Sequence, residues 1–65
     1  MRFNAVELAI ITVMKRSPNH WFTTNELADM TKIAWETADK TLKSLHDKGY
    51  LVGGKKKTRM YWKLY

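Results

Sequence analysis

The chain has 65 residues, no cysteine and a formal net charge of +6 at pH 7. A chain this short builds one small core, and without cysteine it holds neither a disulfide framework nor a thiolate metal site. No apolar run reaches the length of a membrane span, and the most apolar window, 3–14, is interrupted by Glu7 and Thr12 and lacks a leader's cleavage pattern; one soluble, cytoplasmic domain over 1–65 is expected.

A first helix is predicted from Asn4. Asn4 is a good N-cap, and Glu7 stands where it can return a bond to the cap's own N–H. Phe3 and Leu8 have the spacing of a hydrophobic staple. Val6, Ala9, Ile10, Val13 and Met14 share one broad face, with Glu7, Thr12, Lys15 and Arg16 elsewhere and Leu8 and Ile11 opposite. A helix apolar on two sides is expected to lie sandwiched in the fold or to offer a partner surface. Ser17-Pro18-Asn19-His20 breaks it, and Trp21-Phe22 is a short apolar step that can pair as a strand with a later hairpin.

Thr23 repeats the start signal, with Glu26 closing a second capping box, so a short helix is predicted over Thr24–Thr31 with Leu27 and Met30 facing the core. Thr31-Lys32-Ile33 forms a turn. A third helix is expected from about Ala34 to Lys48, with no strong N-cap, a narrow stripe of Ala34, Ala38, Thr41, Leu42 and Leu45, and polar residues on its other side. Gly49 sits where a left-handed residue ends a helix.

A hairpin is predicted after that stop. Tyr50-Leu51-Val52 is β-prone, Gly53-Gly54 carries the chemistry of a turn, Lys55-Lys56-Lys57-Thr58 forms a charged tip, and Arg59–Tyr65 resumes as a strand with Met60, Trp62 and Leu64 on one face. The charge is concentrated here. Residues 49–65 hold Lys55, Lys56, Lys57, Arg59 and Lys63 and no acid, whereas residues 1–48 hold nearly equal numbers of each sign. A basic tip at one end is the electrostatic footprint of a nucleic-acid binder.

The order of helix, short strand, helix, turn, helix and hairpin resembles the winged helix-turn-helix, an α+β fold, mostly α, with a three-helix core and a C-terminal β-hairpin wing. FTTNELADMTKI resembles its second helix and turn, and TLKSLHDKGYLV the end of a recognition helix running into the first wing strand. In MarR-like and related small regulators the same join reads as leucine, charged residues, glycine and an apolar pair, here Leu45, His46-Asp47-Lys48, Gly49 and Tyr50-Leu51. The resemblance implies a DNA-binding transcription regulator with the third helix in the major groove. Trp35, Glu36, Thr37, Lys40 and Lys43 then face the bases and nearby phosphates. Thr24 and Lys32 flank them, Thr24 through the free N–H groups at its helix start. Lys55, Lys56, Lys57 and Arg59 lie along the backbone or in the minor groove.

The expected partner is double-stranded DNA, bound by a monomer or weak homodimer. Two rival readings use other residues: a protein-interaction winged helix docking through the first helix or the aromatic last strand, or an RNA or single-strand binder stacking bases on Tyr61, Trp62 or Tyr65. His20 and His46 stand far apart, and no nucleophile–base pair or phosphate-cradling loop is present, so neither a metal, a cofactor nor an enzyme is expected.

Overall fold

A computed structural model describes residues 2–65. Its elements are α1 (Ala5–Arg16), β1 (Phe22–Thr23), α2 (Thr24–Thr31), α3 (Trp35–Asp47), β2 (Leu51–Lys56) and β3 (Arg59–Leu64). The strands form one antiparallel sheet in the order β1-β3-β2. The fold is a winged helix: three helices, a short strand after the first, and a C-terminal hairpin. Among the described residues no helix is long and apolar enough to cross a membrane.

Local chemistry explains most boundaries. Both capping boxes form: Asn4 Oδ1 accepts from the Glu7 N–H at 2.8 Å while Glu7 accepts from the Asn4 N–H, and Thr23 with Glu26 repeats the arrangement. α3 starts at Ala34 without a side-chain cap, as the sequence suggests. It ends at Asp47 with Lys48 as its C-cap, and Gly49 follows at a φ of +87° that a side chain would strain. There the Gly49 N–H bonds the His46 carbonyl and the Tyr50 N–H the Leu45 carbonyl, the two bonds that close a helix end before a change of direction. The turn from α2 to α3 has the same pattern around Lys32, at φ 59°, with the Ile33 N–H bonded to the Ala28 carbonyl.

The hairpin departs from expectation. Gly53 and Gly54 lie inside β2, and Lys55 and Lys56 are strand residues too; the turn is Lys57-Thr58 alone, with Lys57 at φ 56°. The physical reason lies across the sheet. Gly53 pairs with Trp62, and a Cβ there would stand 3.1 Å from His46 Cδ2 and 3.3 Å from Trp62 Cζ3. The glycine is needed for close approach, so a local turn signal gives way to packing. β1 is shifted by one residue, Phe22–Thr23 in place of Trp21-Phe22, and pairs with β3.

The core gathers Ile10, Ile11, Met14, Phe22, Leu27, Leu42, Leu45, Leu51 and Trp62. Trp62 is its largest member, 2% exposed, and donates from its indole N–H to Thr24 Oγ1 at 3.0 Å. Four sequence expectations are corrected. Met30 points outward, 53% exposed, because α2 buries Leu27 and Ala28 instead. Ala34, placed on the apolar stripe of α3, lies exposed at its N-cap. α1 buries Ile11 but leaves Leu8 half exposed, so the sandwich covers only one of the two. Glu7, expected on the polar side, is buried. Its second oxygen lies 3.3 Å from Lys48 Nζ, tying α1 to the end of α3.

Donation by the Asn4 N–H holds the Glu7 carboxyl below the ordinary glutamate range; burial opposes this, and the Lys48 ammonium adds to it. A depressed folded-state value means stabilisation that is present above the unfolded pKa and lost as pH falls through the folded one. Glu7→Gln is therefore expected to lower the thermal midpoint at neutral pH. The gap to the parent protein should close as acid is added below the ordinary glutamate range. A gap that persists unchanged at the most acid pH would remove the carboxylate from this account.

Candidate nucleic-acid interface

A cleft of about 370 Å³ opens between the start of α2, the outer face of α3 and the wing. It is lined by Thr23 of β1, Thr24 and Asn25 of α2, Trp35, Asp39 and Lys43 of α3, and Lys55, Thr58, Arg59 and Met60 of the wing. The helical period explains the middle group, since Trp35, Asp39 and Lys43 recur every four residues on one face of α3. The hairpin register explains the last: Lys55 faces Met60 and Lys56 faces Arg59 across the ladder, so the cations have fixed spacing.

Of the residues the sequence singled out, five line the cleft: Thr24, Trp35, Lys43, Lys55 and Arg59. Thr24 does so with its side chain committed to the core, its hydroxyl held by Trp62. Trp35 is half exposed at the cleft. Glu36, Thr37 and Lys40 are exposed on α3 outside the cleft, and Lys32 is exposed in the turn before it. Lys56 and Lys57 sit at the wing end, around a smaller hollow of about 330 Å³ shared with Thr58, Arg59 and Tyr61. Lys56 and Lys57 thus stand outside the cleft that Lys55 lines. Trp62 is withdrawn from any stacking role, since its ring is in the core.

Sequence reasoning missed Asp39 as a cleft residue. Its carboxylate meets Lys43 Nζ at 2.9 Å, with Asp39 the more covered of the two. The four-residue spacing of an acid and a lysine on one helix was the available signal. The pair leaves Lys55 and Arg59 as the cleft's cations outside any ion pair among the described residues.

No protein-family model matches the sequence, and no curated protein does. Solved structures do. The chain is similar to a possible transcriptional regulator from Methanosarcina mazei Go1, with a TM-score of 0.89 at 20% identity, covering 97% of this chain and 57% of that one. It is also similar to a zinc-responsive MarR family member, ZitR of Lactococcus lactis, with a TM-score of 0.81 at 16% identity, covering 100% of this chain and 45% of that one. The chain thus spans about half the length of these structures. At such identities the likeness concerns the fold, and it is the winged helix-turn-helix that the sequence pattern suggested.

Proposed function

We propose that the chain is a double-stranded DNA-binding module of a cytoplasmic transcription regulator. The observation that carries this reading is the cleft that gathers Lys43, Lys55 and Arg59 between α3 and the wing. In the proposed complex α3 lies in the major groove. Trp35 and Lys43 approach base edges or the flanking backbone, and Lys55 and Arg59 neutralise phosphates beside the groove. Glu36, Thr37 and Lys40 lie on the same helix beyond the cleft, where Glu36 can accept from cytosine N4 and Lys40 can donate to guanine. Regulator-like neighbours of the same fold support the reading. The fold alone does not decide it, because function resides in the site.

Salt titration tests the proposal. With about four to six phosphate contacts, the slope of log affinity against log salt is expected near −4 to −5 for a labelled duplex. Selection from a random duplex pool then asks whether bases are read. A slope near zero would overturn the electrostatic account, and a pool that stays random would reduce the site to non-specific binding.

A further inference from the structure

The sheet has a second face, turned away from the core. On it the register sets Gly54 beside Tyr61, Lys56 beside Arg59 and Val52 beside Lys63. Trp21 joins them. It precedes Phe22, which pairs with Trp62, so the same register brings Trp21 next to Lys63. Lys63 Nζ stands 5.2 Å from the centre of the indole, and a Cβ on Gly54 would meet Trp21 Cζ3 at 3.5 Å. The indole is 39% exposed. Over Gly54, an open hollow of about 490 Å³ is walled by Trp21 and Tyr61 and rimmed by Lys55 and Lys56.

Of the residues around this hollow only Lys55 also lines the cleft, while Trp21, Gly54, Lys56 and Tyr61 do not. Gly54 lets the Trp21 indole lie close against the sheet, and the open hollow beside it, walled also by Tyr61, has room for a flat ring. The lysines at its rim, in a stretch of chain without an acid, favour an anion. A planar group carrying negative charge is the chemistry of a nucleotide. Bases within a duplex are stacked on one another and cannot lay a face on Trp21, whereas an unpaired base can.

We propose that this outer hollow binds an unpaired nucleotide of a single strand, its base stacked against Trp21 and Tyr61 and its phosphates neutralised by Lys55 and Lys56. The two sites meet at Lys55 and otherwise use different residues. One chain then holds a duplex on one side of its wing and an unpaired segment on the other, the arrangement found where a duplex opens.

Titration of three probes tests this: a mixed-sequence single-stranded oligonucleotide, the matched duplex, and polyglutamate of equal charge. Trp21→Ala is expected to weaken single-strand binding about tenfold, the scale of losing one stacked base. Gly54→Val, whose strand-favouring side chain presses on the Trp21 ring and intrudes on the hollow, is expected to do the same. Trp21→Phe should recover most of the loss, and duplex affinity should be unchanged throughout. Circular dichroism of each variant reports the fold without either ligand, so a failure of duplex binding leaves this test intact. Single-strand affinity unaltered by both Trp21→Ala and Gly54→Val would overturn the proposal. So would polyglutamate competing as well as the oligonucleotide, since the face would then be a plain cationic patch.

Discussion

Trp62→Ala is expected to destabilise the protein by about 3–5 kcal/mol, the range for removing a buried large aromatic residue. Small domains have total stabilities of about 5–15 kcal/mol, so this one change removes a large part of what holds the chain together. The reason is position as much as size. Trp62 pairs with Phe22 and Gly53 across the sheet, meets the His46 ring of α3 edge-on at 5.9 Å, and bonds Thr24 at the start of α2. Trp62→Phe separates the parts. It keeps much of the apolar area but leaves a buried hydroxyl without its donor, at a cost of about 1–3 kcal/mol. Thr24→Val in the Trp62→Phe background is expected to recover part of that loss. Chemical denaturation of the four proteins measures the coupling. Additive effects of the two changes would show that the hydrogen bond contributes nothing.

Removing the two unpaired cleft cations together, Lys55→Gln with Arg59→Gln, should make the salt slope shallower by about two, since each phosphate contact contributes about 0.9. At about 0.1 M salt the same relation implies a loss of affinity of about 60-fold. The loss should be uniform across duplex sequences, because backbone contacts position without specifying. Changes at Glu36 or Lys40 should instead reorder the preferred sequences with little change in slope. Lys57→Gln, at the turn and outside the cleft, is expected to have a smaller effect than either cleft cation. A double variant with full affinity and unchanged slope would exclude the wing from the interface.

Much of the fold was legible because its signals are local. Each capping box lies within four consecutive residues, and Gly49 announces its left-handed backbone by being glycine. The three helices, the strand after the first and the closing hairpin follow from such punctuation and from apolar spacing. What was illegible depends on residues distant in sequence. Gly53-Gly54 reads as a turn until Trp62 and His46 are known to occupy the space where side chains would go. The real turn is hidden because Lys57 adopts positive φ with no glycine or asparagine to mark it, and Lys32 does likewise between α2 and α3. Glu7 looks like a surface acid until Lys48 is brought to it from the end of α3. The wing charge was visible as a block. Its division between cleft, outer face and tip depends on the strand running to Lys56, and so could not be read before the turn was placed.

The three tryptophans occupy three different surroundings. Trp62 lies in the core, Trp35 at the mouth of the cleft, and Trp21 on the outer face of the sheet beside the Lys63 ammonium. The molecule therefore carries a native fluorophore for each of its regions. Emission from Trp62 reports the packed state and shifts to the red on unfolding. Under the proposed function a duplex in the cleft would quench Trp35, and an unpaired base on the outer face would quench Trp21. Single-tryptophan versions of the chain would resolve folding and the two modes of occupancy as separate optical signals, with no label attached.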